Sequence, residues 1–86
     1  MQALLAELYL PAADRDGLRS AARLARAAAD SLSAEGTPVR YVRAIFVPDD
    51  EICLLLFEAP SFEAVTRLAA RAELAFDRIA RADSQQ

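Results

Sequence analysis

The sequence contains no histidine and one cysteine, Cys53. A single cysteine cannot form an internal disulfide, and without histidine the usual nitrogen and sulfur ligand clusters for zinc or haem are not available. A Ser–His–Asp triad is excluded as well, and no histidine can activate Cys53 as a nucleophile. The two glycines are too few for a phosphate-binding loop. These absences disfavour zinc, haem, thiol and triad chemistry together.

Long apolar runs and an excess of positive charge are also missing. No stretch approaches the roughly 18 consecutive apolar residues needed to cross a bilayer. The start of the chain, MQALLAELYLP, lacks a basic region and carries Glu7 within its apolar part, so it does not resemble a signal peptide. The net charge of −3 has the wrong sign for a surface that neutralises phosphates. We therefore expect a cytoplasmic protein that binds neither nucleic acid nor a membrane.

What the chain does contain is typical of one small globular domain. It has 86 residues, of which 55% are hydrophobic and 27% are charged, and this size supports a single core. We expect one domain over residues 1–82. The last residues, 83–86, are polar and predict a disordered tail.

Hydrophobic periodicity predicts four strands and two helices. Asp14 and Ser61 precede the helical patterns as candidate N-caps, and Gly36 is placed to end the first helix. The order is strand, helix, strand, strand, helix, strand, with the strands predicted over 3–10, 39–47, 51–58 and 75–82. This order predicts an α+β ferredoxin-like βαββαβ sandwich, in which two helices cover one face of a four-stranded antiparallel sheet. By analogy with that fold, the first and third strands are central.

The turn over residues 48–51 joins the second and third strands as a hairpin. It predicts four cross-strand pairs on one sheet face, which from the turn outward are Val47 with Ile52, Ile45 with Leu54, Arg43 with Leu56, and Tyr41 with Glu58. The opposite face is more uniformly apolar and carries Val42, Ala44, Phe46, Cys53, Leu55 and Phe57. We expect that second face to pack under the helices, with Cys53 as a small buried hydrophobe.

The face that no helix covers is itself apolar at Ile45, Leu54 and Leu56. A contiguous apolar surface on a small protein is more often an interface or a ligand surface than bare protein. We therefore predict a homodimer in which two sheets pack face to face as a dimeric α+β barrel. Such a dimer leaves a semi-buried space, which is a natural site for a small organic ligand.

Polar side chains are predicted within this apolar face. If the even-numbered residues of the first strand point to the helices, Glu7 and Tyr9 lie on the helix-free side with Arg43. A partly buried carboxylate beside an arginine can serve as a general base, and a tyrosine can donate a hydrogen bond to an oxyanion. If the protein is an enzyme, these groups support cofactor-independent isomerisation or cyclisation, with Glu7, Tyr9 and Arg43 as the catalytic residues and Glu7 as the base. The predicted ligand contacts are Tyr41, Ile45, Leu54, Leu56 and Glu58.

Plainer interpretations stay open at each of these positions. Glu7 and Arg43 can form an ion pair that only satisfies two charges at the dimer interface, in a protein that serves as an interaction module without catalysis. Asp49, Asp50 and Glu51 have the oxygen ligands of a hard-cation site, although turns favour Asp without any metal. The arginines of the first helix predict a solvated helix face.

A family resemblance is carried by three stretches, which read ELYLP at the start, TPVRYVRAIFVPDDEICLLLFEAPS in the middle and FDRI near the end. They resemble the DUF4242 family of small actinobacterial proteins, which includes a nickel-binding protein. The resemblance covers nearly the whole chain and implies a ferredoxin-like fold, a dimer, and nickel as a candidate cofactor. The nickel-binding member has a histidine in the second-helix region, where this chain reads VTRLAARAE. No metal ligand is therefore assigned from the resemblance.

Overall fold

A computed structural model of the chain describes residues 1–83 and 85. The elements are β1 Gln2–Tyr9, α1 Gly17–Ala34, β2 Arg40–Val47, β3 Ile52–Ala59, α2 Phe62–Ala72 and β4 Arg78–Arg81, with a 3-10 turn at Pro48–Asp50. The strands form one antiparallel sheet in the order β2-β3-β1-β4. The predicted α+β ferredoxin-like fold, with β1 and β3 at the centre of the sheet, is confirmed.

Both helices have local partners for the backbone groups at their ends. Ser61 precedes α2, and its hydroxyl oxygen accepts a hydrogen bond from a first-turn amide at 3.2 Å. The predicted N-cap of α1 is displaced by two residues: Asp16 holds the cap position, while Asp14 Oδ1 accepts from the Gly17 amide at 2.9 Å. After α1, Gly36 has a φ of +102°, which glycine adopts without the Cβ clash that other residues meet.

The core lies between the helices and one face of the sheet. Burial alternates along β3, where every second residue is buried and the others are half-buried. Phe57, Leu4 and Leu32 are among the largest fully buried side chains, and Cys53 is buried with them as predicted. The alternation leaves the other face of β3 without a helix over it, because both helices pack on the same side.

The hairpin between β2 and β3 has the predicted register near its turn. Val47 is opposite Ile52, Ile45 is opposite Leu54, and Arg43 is opposite Leu56. The left-handed conformation that closes the turn belongs to Glu51, with a φ of 52°. The short turn fixes these pairs, because loop length determines how the first residues of a hairpin meet.

Further from the turn, the predicted register is wrong. A β-bulge lies between Tyr41 and Arg43, so Tyr41 is opposite Phe57, and Arg40 is opposite Glu58. One extra residue in a strand exchanges its two faces from that point on. Tyr41 therefore lies on the helix-covered side. Arg40 occupies the position opposite Glu58 on the helix-free side, which was predicted for Tyr41.

Within residues 1–83 and 85, neither helix is long and apolar enough to cross a membrane. The tail predicted over 83–86 includes Ser84 and Gln86, which lie outside the described residues.

Candidate functional site

The side of the sheet opposite the helices is called here the helix-free face. On β1 and β3, the residues of this face alternate with the buried residues, and on β2 and β4 they lie opposite those alternating residues. The face includes Leu5, Glu7, Tyr9, Arg40, Arg43, Ile45, Val47, Ile52, Leu54, Leu56, Glu58, Arg78 and Ala80. Tyr9 and Ile45 are exposed, at 59% and 47%, while Leu54 and Leu56 are half-buried. The central strip of this face is therefore apolar and open, as the sequence predicts.

A small cavity opens where the helix-free face meets the hairpin turn. It has a volume of ≈ 190 Å³ and is lined by Glu7, Leu8, Tyr9, Asp50, Glu51, Ile52 and Asp77. We call it the acidic notch, because four of these residues carry carboxylates and none carries a positive charge. Its electrostatic character favours a ligand that is positively charged or donates hydrogen bonds.

Backbone hydrogen bonds hold three segments of chain around the acidic notch. Asp77 Oδ2 accepts a hydrogen bond from the Tyr9 amide at 3.1 Å, and the Asp77 amide donates to the Glu7 carbonyl at 2.7 Å. Glu51 Oε2 accepts from the Ala12 amide at 2.8 Å. The end of β1, the hairpin turn and the segment before β4 are thus tied together, so the notch walls are fixed by the fold.

Glu7 has a weak ion pair inside the chain. Its Oε2 lies 3.9 Å from Arg78 Nη1, and the two side chains are 31% and 67% exposed. Exposed pairs at such distances contribute little. The predicted pairing of Glu7 with Arg43 is absent within one chain because β3 separates β1 from β2.

The other predicted site residues are distributed over three places. Arg43 is exposed on the β2 side of the helix-free face, and Glu58 forms an ion pair with Arg40 at the far end of β3. The structure thus brings Glu7 and Tyr9 together in the acidic notch, with Ile45, Leu54 and Leu56 on the same face. It separates Arg43 and Glu58 from the notch.

Tyr41 is the predicted ligand contact that faces away from this site. Its ring meets Phe57 edge-to-face, with centroids 6.1 Å apart, and Arg26 lies over it, with the guanidinium carbon 5.2 Å from the ring centroid. Burial raises the pKa of the Tyr41 phenol, and the Arg26 charge opposes that rise. Tyr41 is therefore a packing residue between β2 and α1.

Sequence reasoning did not find Asp77, which lines the notch, or Arg78, which pairs with Glu7. The sequence does contain these two residues side by side in FDRI, at the start of the last predicted strand, and this adjacent acidic and basic pair was the available signal. Placing this pair beside Glu7 requires the register of β4 against β1, which puts Arg78 opposite Glu7. No local feature of the sequence specifies that long-range pairing.

The residues of one chain do not fit a nickel centre. Over the part of the chain that the structure describes, no group of three or more His, Cys, Asp or Glu side chains is placed to hold a metal ion. Cys53 lies on the helix-covered side, and burial raises the pKa of its thiol, which disfavours the thiolate that metals bind. Imidazole, the nitrogen ligand that suits nickel, is missing from the sequence.

The fold and this sequence match a known family. The family described as "Nickel responsive protein SCO4226-like" matches residues 11–81, which is most of the chain. The chain belongs to the SCO4226-like family. The resemblance noted in the sequence is confirmed to the level of a nickel-responsive family, whereas the DUF4242 label stays a prediction.

One solved relative of the SCO4226-like chain is similar over its full length. The crystal structure of SCO4226 from Streptomyces coelicolor A3(2) superposes with a TM-score of 0.72 and 22% identity, covering 98% of this chain and 99% of that chain. At this identity, the similarity supports the fold alone. No curated protein matches the chain.

Proposed function

We propose that the protein is a homodimer that binds a small organic ligand between its helix-free faces, with the acidic notch as the polar end of the site. The observation that carries the proposal is an open apolar strip that leads directly into a notch lined by carboxylates. Apolar walls with a few fixed polar groups are the usual composition of a small-molecule site.

A second copy of the chain is the covering that the helix-free face favours. On this face the two strands next to β3 carry opposite charges, with Arg43 of β2 opposite Leu56 and Glu7 of β1 opposite Leu54. A twofold axis along β3 places β2 of one protomer over β1 of its partner. Arg43 then reaches the partner's Glu7, so the face is complementary to itself, as a twofold interface requires.

The dimer also completes the acidic notch. A volume of ≈ 190 Å³ is below the roughly 300 Å³ at which small-molecule pockets usually begin, so a second sheet must close the space. Within it, Glu7 accepts a proton, Tyr9 offers a hydroxyl donor, and Arg43 of the other protomer neutralises charge. These groups support ligand binding and, if the bound compound has an acidic C–H, cofactor-independent isomerisation or cyclisation.

The second candidate function is binding of nickel or another divalent metal. The family match favours it. The carboxylates of the acidic notch offer oxygen ligands, which suit hard cations better than nickel. Because Glu51 and Asp77 already accept backbone hydrogen bonds, a metal there would be held loosely and would keep water ligands.

Titrations with two probes separate the candidates. Phenethylamine, which has a cationic head and an apolar ring, should shift the amide resonances of Glu7, Tyr9 and Asp77, and Glu7→Gln should weaken its binding about tenfold. Glu63→Gln, on the exposed start of α2, removes the same charge elsewhere and should leave binding unchanged.

Nickel chloride is the second probe, and calorimetry measures the heat of its binding. The ligand proposal predicts a flat trace. A saturable heat of binding that Glu7→Gln removes, together with no response to phenethylamine, would overturn the ligand proposal and establish the metal candidate.

A further inference from the structure

A second concave site lies on the opposite side of the molecule, on the outer surface of α1. It has a volume of ≈ 420 Å³ and is lined by Arg19, Ala22, Arg23, Arg26, Ala27 and Asp30. We call it the arginine groove. It is larger than the acidic notch and has the opposite charge.

Helical spacing produces the arginine groove. Its lining residues recur every three or four positions, so they share one face of the helix. That face is separate from the buried one, which consists of Ala21, Ala25, Ala28, Ala29 and Leu32. Ala22 and Ala27 lie at the two edges of this face, and the longer arginine side chains stand between them.

The groove arginines, like several others in the described part of the chain, have no acidic partner. Within residues 1–83 and 85, the ion pairs involve Arg40, Arg71 and Arg78. Arg19, Arg23 and Arg26 therefore place three uncompensated charges within about two helical turns, although the chain as a whole has a net charge of −3. Like charges at i, i+4 repel one another and gain most from an anion that lies between them.

Tyr41 fixes one wall of the groove. The Arg26 guanidinium carbon lies 5.2 Å from the centroid of the Tyr41 ring, and this cation–π contact restricts the arginine side chain. Guanidinium groups held in place bind carboxylate and phosphate oxygens through paired hydrogen bonds. The groove therefore has a partly preorganised set of donors.

We propose that the arginine groove binds a small organic molecule through a phosphate or carboxylate group. The three groove arginines hold the anionic group, with Arg26 fixed by Tyr41, and the alanines at the edges of the face contact the apolar part of the molecule. Asp30 lines the other end of the groove and repels an anion there, which sets the orientation of the ligand. The site is independent of the helix-free face, because α1 packs on the opposite side of the sheet.

Pyrophosphate is the probe for a phosphate group, and citrate is the probe for a carboxylate group. Titration at roughly 0.15 M salt, where the Debye length is about 8 Å, should perturb the amide resonances of residues 19–30 selectively. Arg23→Gln should weaken binding of the preferred probe about tenfold, and Asp30→Asn should strengthen it severalfold, because it removes a repelling charge. The probe that binds more tightly identifies the anionic group.

Arg15→Gln is the matched control, because it removes the same charge from the segment just before α1, outside the groove. It should leave the affinity for the probe within about twofold of the wild type, since exposed charges are strongly screened. Equal losses for Arg15→Gln and Arg23→Gln, or no gain with Asp30→Asn, would show attraction by general positive charge and would overturn the proposal. Circular dichroism of each variant confirms that the fold is retained.

Discussion

Tyr41 stands opposite Phe57 across the ladder between β2 and β3, with ring centroids 6.1 Å apart and an angle of 67° between the ring planes. Edge-to-face aromatic pairs contribute roughly 0.5–1.5 kcal/mol beyond the area they bury. Arg26 of α1 lies over the same ring. The β-bulge thus turns Tyr41 into a link between the sheet and α1.

Tyr41→Ala should therefore destabilise the fold by about 2 kcal/mol, which is below the cost for a fully buried aromatic because Tyr41 is half-buried. Urea denaturation measures this loss in the free energy of unfolding. Phe62→Ala is the control at a 43% exposed position at the start of α2 and should change stability by less than about 0.5 kcal/mol. Equal losses for the two variants would contradict the assignment of Tyr41 to the core.

Leu56→Arg should convert the proposed homodimer to a monomer. Leu56 is half-buried on the helix-free face of the central strand β3, and burial of an unpaired charge in an interface is strongly unfavourable. Light scattering coupled to size-exclusion chromatography measures the mass. Leu24→Arg, at a 41% exposed position on α1, should leave the dimer intact, whereas a monomeric wild type at micromolar concentration would disprove this interface.

Stability should fall at alkaline pH because of Cys53. Burial raises the pKa of its thiol above the ordinary value of 9.0, so the unfolded chain loses this proton at a lower pH than the native protein does. The contribution to stability is complete below about pH 9 and is lost as the pH rises through the native pKa. Urea denaturation under reducing conditions at about pH 8 and pH 9.5 measures the decrease.

Cys53→Ala should remove that alkaline decrease while lowering stability at all pH values, because it leaves a small cavity. Tyr41 has a raised pKa as well, but its ordinary value of 10.0 places its effect at higher pH. The same decrease in the wild type and in Cys53→Ala would mean that another group is responsible.

Glu73→Gly should stabilise the fold. Glu73 ends α2 with a φ of 56°, a left-handed conformation that costs a residue with a Cβ roughly 1–2 kcal/mol. Part of that gain is offset by the greater freedom of glycine in the unfolded chain, so we expect about 0.5–1 kcal/mol of net stabilisation. Ala70→Gly, at an exposed position inside α2, should have the opposite sign, with a loss of about 1 kcal/mol.

The sequence predicted the fold because its local signals agree with one another. Alternation in β3 identified Cys53, Leu55 and Phe57 as core residues, and the turn length placed Val47 opposite Ile52. The register failed at Val42, the extra residue of the bulge, because valine is typical of a regular strand and gives no sign of a bulge. A bulge in the middle of a strand has no distinctive residue type here.

The site was less predictable than the fold because it depends on contacts between distant segments. Glu7 and Tyr9 were identified by alternation along one strand. Asp77, which binds the Tyr9 amide, is 68 residues away, and its place at the notch depends on how β4 aligns with β1. The arginine groove likewise depends on Tyr41 lying under Arg26, which the predicted register did not allow.

If two helix-free faces pack together with Arg43 against the partner's Glu7, an exchange of these two charges reports on the contact. Sedimentation equilibrium compares the dimer dissociation constants of the wild type, Glu7→Arg, Arg43→Glu and the double variant. Each single exchange should weaken the dimer at least about tenfold, and the double exchange should restore most of the affinity. A double variant as weak as the single variants, or single variants that dimerise like the wild type, would rule out this packing of the two sheets.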